Sequence, residues 1–160
     1  MKPSPQPITR RSFLKQTTLF AGLASLPNLM PAGAWAAEGA VAPGNRLTLG
    51  CIGLGIQGTG NMKAFLNHPE VRVLAVCDVH ETRRTQGKQV VDTHYGNPDC
   101  AAYKDFRELM ARKDLDAVLI CTPDHWHPLI ALEAARQGKH MYCEKPMGWS
   151  VRAAQAVRKA

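Results

Sequence analysis

Three observations predict an α/β fold with a doubly wound parallel sheet. An apolar run, Leu47–Ile52, leads directly into a glycine turn, Gly53-Leu-Gly55-Ile-Gln-Gly58. Met62, Phe65 and Leu66 then follow at helical spacing. From there to the last residue, short apolar runs alternate with helical patterns, as in chains that return to the same sheet edge after each strand. The second apolar run, Val71–Cys77, ends on an acidic residue, Asp78, 25 positions after Gly53.

The elements follow in order. Residues 47–52 read as a strand, and the pattern over 61–67 as a helix closed by His68-Pro69, because the residue before proline is pushed out of the α region. Residues 71–77 are apolar apart from Arg72, which suits a strand covered on both faces. A polar helix is expected over 81–94, a turn over 95–99, a short strand over 101–103 and a short helix over 106–111. Residues 115–121 form another buried run, stopped by Thr122-Pro123. Ile130, Ala134 and Ala135 share one face of a helix over 128–137, with Gly138 past its end. Residues 140–143 make the fifth strand, and Ser150 caps a helix over 151–160.

At 160 residues there is room for one domain and some extra. The net charge of +7 is unevenly placed: residues 1–36 hold Lys2, Arg10, Arg11 and Lys15 and no acid. The remainder has 16 basic and 13 acidic residues of alternating sign, without a basic patch interleaved with aromatics, so nucleic acid is not an expected partner. Four of the five cysteines, Cys51, Cys77, Cys121 and Cys143, sit within or at the end of apolar runs and read as small buried hydrophobes. With Cys100 the count is odd and no C-x-x-C occurs, which argues against a disulfide framework and against zinc.

The segment 1–36 has a basic start, a short apolar centre and Ala34-Trp-Ala36, the three parts of an export signal. Its centre is too short and too broken by Pro27, Asn28 and Pro31 to span a bilayer. Arg10-Arg-Ser-Phe-Leu-Lys15 resembles the twin-arginine signal. That route carries folded proteins, so the resemblance implies a periplasmic or otherwise exported product loaded with cofactor before export. Residues 37–45, rich in Gly, Ala and Pro, read as a linker, and 46–160 as the folded domain.

Strand, glycine turn and helix in this order match the phosphate-binding unit of dinucleotide folds. One glycine makes the turn, one admits the pyrophosphate and one lets helix pack on strand. Gly53, Gly55, Ile56, Gln57 and Gly58 would present free N–H groups and the positive end of the helix dipole to that charge. Asp78 can accept from a ribose 2′-hydroxyl, which favours NAD over NADP; the alternative is a plain helix N-cap. Arg83 or Arg84, reaching back, would instead hold a 2′-phosphate or stack on adenine. Thr122-Pro-Asp-His-Trp-His127 leaves the carboxyl end of a strand, where open α/β sheets place ligands. His125 and His127 are candidates for acid/base work, with metal binding the weaker alternative for lack of a third ligand, and Trp126 for a cleft wall. Glu144-Lys145-Pro146 also follows a strand, and the Lys145 ammonium can hydrogen-bond ribose, polarise a substrate oxygen or act as a base. Asp78, His127 and Lys145 are expected around one hollow.

Together, Gly53-x-Gly55-x-x-Gly58, Cys77-Asp-Val79, Cys121-Thr-Pro-Asp-His-Trp-His127 and Glu144-Lys-Pro146 resemble the glucose–fructose oxidoreductase / inositol dehydrogenase / MocA family over residues 46–160. The resemblance implies a Rossmann domain followed by a second α/β domain. It also implies hydride transfer between a nicotinamide dinucleotide and a carbinol carbon, usually of a sugar or cyclitol. By position, Lys145 matches the family's lysine beside substrate and cofactor, and Asp124, His125, Trp126 and His127 match its nicotinamide-side loop. The family's second domain, with its acid/base histidine, has no counterpart before Ala160. The chain is therefore expected to be a fragment, oligomeric when full length. Two other functions share this half: an NAD-dependent glycoside hydrolase working by transient oxidation and elimination, and a non-catalytic nucleotide-binding module.

Overall fold

The computed structural model describes residues 41–160. The export signal expected over 1–36, with Arg10 and Arg11, lies outside the described residues, as does the first part of the linker. Within the rest of the linker, Pro43–Asn45 forms a 3₁₀ turn, and Arg46 donates to the Val41 carbonyl at 3.3 Å.

The five strands are β1 (Leu47–Ile52), β2 (Val71–Cys77), β3 (Ala101–Tyr103), β4 (Ala117–Ile120) and β5 (His140–Cys143). The helices are α1 (Ile56–Leu66), α2 (Glu81–Tyr95), α3 (Phe106–Met110), α4 (His127–Arg136) and α5 (Val151–Lys159). All strand pairs are parallel, in the order β3-β2-β1-β4-β5. This is the doubly wound sheet that the sequence predicts. The chain moves outward one way from β1 to β3, then crosses to β4 and outward the other way. The crevice of such a sheet opens where the direction reverses, between β1 and β4.

Strand alternation separates two cores. Leu49, Cys51, Ala117 and Leu119 pack on one face with Met62 and Leu66 of α1 and Val91 of α2. Ile52, Val118 and Ile120 pack on the other with Leu109 of α3 and Ile130 and Ala134 of α4. Helices therefore cover both faces, which is why β4 is buried at every position. Gly50 belongs to the second face, where an added Cβ would come within 2.8 Å of Leu109 Cδ2. Its bareness lets α3 sit down on β1. Opposite it, the register of β2 slips by one residue between Leu49/Val73 and Gly50/Ala75. The short β3 pairs only from Ala75 onward, and the Val73 N–H below it donates instead to the Tyr95 hydroxyl at 3.0 Å. The hydroxyl replaces a ladder partner, so no buried donor is left open.

Element ends follow local chemistry. Asp105 and Ser150 side chains cap α3 and α5 by accepting from the Arg107 and Ala153 N–H groups. Gly96 ends α2 in the left-handed conformation at φ +68°. Several element ends shift by one residue from expectation, and two boundaries differ by more. The first helix starts at Ile56 rather than 61, because Gly58 and Gly60 are absorbed into it. The fourth strand loses Leu115, which turns under Gly50.

Gly58 is fixed by space: a Cβ there would penetrate the Gly53 carbonyl oxygen and also reach Cys121 Cβ at 3.0 Å. Gly60, two residues on, has nothing within 4 Å of that position. Gly58→Ala should therefore lose about 1–3 kcal/mol in urea unfolding. Gly60→Ala should gain about 0.5–1 kcal/mol by restricting the unfolded chain and improving helix propensity. Equal melts for the two variants would contradict the contact.

Candidate dinucleotide site

Past the carboxyl ends of β1, β2 and β4 lies a cleft of about 380 Å³. Its floor is the glycine turn, with Gly53, Gly55, Ile56, Gln57 and Gly58 all on the lining. Gly53 adopts φ +85°, and a Cβ on it would lie 2.6 Å from the Cys121 carbonyl carbon, so turn and β4 exit touch backbone to backbone. Gly55 is the opposite case. It is the N-cap of α1, no side chain caps that helix end, and nothing lies within 4 Å of its Cβ position. Two glycines are filled by protein and the third faces open space at an uncapped helix N-terminus, where a pyrophosphate would be held by N–H groups and helix dipole.

Asp78 closes the β2 side. It is 7% exposed, and its Oδ2 accepts from the Leu54 N–H at 2.7 Å while Oδ1 accepts from the His80 N–H at 2.8 Å. The carboxylate therefore braces the glycine turn and the start of α2 at once. Each oxygen retains a lone pair for a further donor. Arg84 donates to the Asp78 carbonyl at 2.8 Å and so locks the strand end, whereas Arg83 lies on the cleft wall. On the β4 side Thr122, Pro123 and Trp126 line the cleft, and Trp126 meets Phe106 edge-on at 6.3 Å. The Thr122 hydroxyl is buried and lacks a partner among the described residues. A buried polar atom in that state implies a ligand or water that completes it.

His127 requires a correction. It is 2% exposed, lies off the cleft lining, and its ring nitrogens both face backbone oxygens: Nδ1 to Pro146 O and Nε2 to Thr122 O, each at 2.7 Å. A ring held at both nitrogens is not free to exchange protons with a substrate. It is a strut joining the loop after β4 to the loop after β5. The signal for this was present in the sequence, since His127 starts the face that carries Ile130 and Ala134 inward.

The expectation of one hollow for Asp78, His127 and Lys145 is likewise not met. Asp78 lines the cleft, His127 is sealed beside it, and Lys145 is an exposed residue off its lining. Glu144 is tied down by the Asn61 amide at 2.7 Å and by the Lys145 N–H at 3.2 Å, and the Asn61 bond foremost holds its carboxyl below the usual range. Asp124 and His125 are exposed on the rim, 3.7 Å apart. Sequence reasoning missed Asn61, Lys104 and Phe106; Lys104 and Phe106 stand next to element ends, whereas Asn61 lies inside α1 and nothing local marked it. A larger groove of about 720 Å³ runs between α1 and α2, but it contains none of the three glycines of the turn and no strand end.

The cleft thiols are not nucleophiles. Burial first, and the neighbouring Asp78 charge second, push Cys77 up to about 12, and burial raises Cys121 as well. All five cysteines are free, and the described residues contain no group of three or more candidate metal ligands. No described helix is long and apolar enough to cross a membrane.

Open Gly55, the uncapped helix end, braced Asp78 and the orphan Thr122 hydroxyl fit a dinucleotide, and with the parallel sheet they define a Rossmann nucleotide-binding domain. The chain belongs to the GFO_IDH_MocA family, described as an oxidoreductase family with an NAD-binding Rossmann fold, whose model matches residues 47–160. It is similar to a glycosyl hydrolase family 109 protein of Saccharopolyspora erythraea, 38% identical over 107 residues, covering 64% of this chain and 23% of that one. A protein of the same description from Shewanella pealeana is 31% identical over 159 residues, covering 90% and 35%. Among solved structures, scyllo-inositol dehydrogenase from Lactobacillus casei with bound NAD(H) and scyllo-inositol shares the fold, with TM-score 0.63 and 23% identity, covering 71% of this chain and 32% of that one. The chain thus spans about a quarter to a third of the length of these proteins.

Two variants test the geometry. Gly55→Ala should leave the unfolding midpoint unchanged and weaken NAD binding by about tenfold or more, because the new methyl stands where phosphate must approach; calorimetric titration reads it. His127→Leu should lose about 1–3 kcal/mol for the buried carbonyl that loses its N–H donor, measured by urea unfolding.

Proposed function

We propose that this chain is the cofactor-binding part of an exported, NAD-dependent oxidoreductase that moves hydride between nicotinamide and a hydroxyl-bearing carbon of a sugar or cyclitol. The observation that carries the reading is Gly55, open between two space-filled glycines and lining the same cleft as Asp78. Bound nicotinamide would supply the hydride acceptor. The chain's own residues hold the pyrophosphate at the start of α1, accept from ribose at Asp78 and donate or accept at the Thr122 hydroxyl. Lys145 would place its ammonium near the substrate oxygen, where negative charge develops as the hydroxyl proton leaves. His127 serves by setting the distance between the Thr122 and Pro146 loops. The paired arginines Arg10 and Arg11 support export in the folded state, through twin-arginine machinery, to the periplasm. Assembly as a homo-oligomer belongs to the full-length form.

The names of the two curated relatives favour a second reading, an NAD-dependent glycoside hydrolase in which oxidation is transient and a leaving group is eliminated. Titrating NAD into the chain tests the shared claim: saturable binding is expected, and no heat would refute it. Incubation of the full-length form with NAD and free polyols, followed at the NADH absorbance, should show reduction under the first reading. Release of nitrophenol from nitrophenyl glycosides without net NADH would favour the second. Nucleotide binding by the full-length form without either product would identify a nucleotide-binding module.

A further inference from the structure

We infer that Asn61 is a positioning residue for Lys145: through Glu144 it fixes the loop that carries the ammonium, and through Gln57 it links that loop to nucleotide binding at the glycine turn. The inference rests on the roles proposed above for the dinucleotide and for Lys145, and deepens them.

The sheet's hydrogen bonding stops one residue before Lys145. The Glu144 N–H still donates to the Ile120 carbonyl at 2.9 Å, as the last rung between β4 and β5. The Lys145 N–H, the first past that rung, donates at 3.2 Å to Oε2 of the Glu144 carboxylate. That carboxylate is partly exposed on a flexible stem and cannot hold a backbone by itself. Its other oxygen, Oε1, accepts at 2.7 Å from Asn61 Nδ2, which reaches it from the second turn of α1. On the far side of Lys145, the Pro146 carbonyl faces Nδ1 of His127 at 2.7 Å. The backbone is thus held on both sides of Lys145, while its ammonium enters no ion pair among the described residues. A fixed backbone with an uncommitted cation is what orienting a charge beside a reacting oxygen requires.

Asn61 is itself tied to the nucleotide end of its helix. Its Oδ1 accepts from Gln57 Nε2 at 3.2 Å, one turn earlier. Gln57 is the second residue of α1 and lines the cleft with Gly55, at the helix start that would hold a pyrophosphate. Its amide has two hydrogens, so it can donate one to a phosphate oxygen and keep the other on Asn61. The Asn61 amide has one satisfactory orientation. Turned over, it would set Oδ1 against the Glu144 carboxylate, acceptor on acceptor, and lose the contact from Nδ2 to Cys121 Sγ at 3.5 Å. A phosphate that immobilises Gln57 therefore steadies Asn61, Glu144 and the Lys145 N–H in series. Without one, the series ends in an exposed glutamine side chain and holds the loop less tightly.

Hydrogen exchange at the Lys145 amide, read by NMR in the full chain with and without NAD, tests this, with calorimetry to establish saturation. Saturating NAD should slow that amide by about tenfold, while the Asn97 amide in the turn after α2 changes less than about threefold. In Asn61→Ala the Lys145 amide should exchange about tenfold faster than in the unaltered chain and respond to NAD by less than about threefold. Asn61→Asp, which sets two carboxylates together, should do the same. Asn61→Asp combined with Glu144→Gln exchanges donor and acceptor across the bridge and leaves an oxygen each for Gln57 and the Lys145 N–H. That pair should restore both the slow exchange and the NAD response, which a tie serving only helix packing would not. A Lys145 amide that answers NAD equally with and without Asn61 would overturn the inference. So would NAD binding that leaves this amide unchanged, or failure of the exchanged pair in a chain that melts normally. Absence of NAD binding to the unaltered chain would refute the cofactor reading and the link through Gln57. Positioning by Asn61 is then decided by the nucleotide-free exchange rates, and equal rates in all variants would refute it too.

Discussion

The bridge from the Asp78 carboxylate to the Leu54 and His80 N–H groups is the constraint on which the site depends. The glycine turn has almost no side-chain mass to hold it, and a turn free to move would lose more entropy on closing round a phosphate than the contact returns. Asp78 fixes it from the neighbouring strand. The same carboxylate organises the start of α2, so the two turns that frame the adenosine end are set by one side chain. Arg84 on the Asp78 carbonyl fixes the strand end in turn. Preorganisation here is electrostatic and local, and it costs the protein one buried charge, offset by two short charge-assisted bonds.

The far side of the cleft is held by an analogous device with a different residue. His127 spans two backbone carbonyls, one on each loop. Asn61 does similar work on the outside, joining α1 to Glu144. The loops leaving the four adjacent strands β2, β1, β4 and β5 are therefore tied together by Asp78, His127 and Asn61. Lys145 is exposed on this framework, and the hydrogen bond from Asn61 favours the ionised form of its neighbour Glu144.

What could be read from the sequence divides along the same physical line. Strands β1 and β2 appeared at their observed bounds because central parallel strands are contiguous apolar runs, while the half-exposed edge strands β3 and β5 were bounded by the turns and helices around them. The glycine turn and Asp78 were legible because spacing along the chain fixes their spacing in the fold. His127 was misread because a histidine after a strand end looks the same whether it points at a ligand or into a core. Only the partners decide, and those partners, Thr122 and Pro146, are backbone oxygens that no side-chain pattern reports. Lys104 and Asn61 were missed for a related reason. Their importance comes from crossovers that bring β3 beside β2 and α1 beside the β5 loop, and topology at that distance is absent from a local window. The early start of α1 escaped because glycine disfavours helix in general, yet Gly58 must be bare where helix and turn meet.

The orphan Thr122 hydroxyl ties these strands of argument to binding. An unpartnered buried hydroxyl destabilises a fold by about 1–3 kcal/mol, and interiors seldom retain one without a purpose. Here the neighbouring Thr122 carbonyl is claimed by His127, so the peptide group cannot rotate to relieve its own side chain. The strut fixes the loop whose Thr122 lines the cleft while its hydroxyl lies buried behind that lining. A ligand that offers it a partner recovers that free energy on arrival, whereas one that does not leaves it lost.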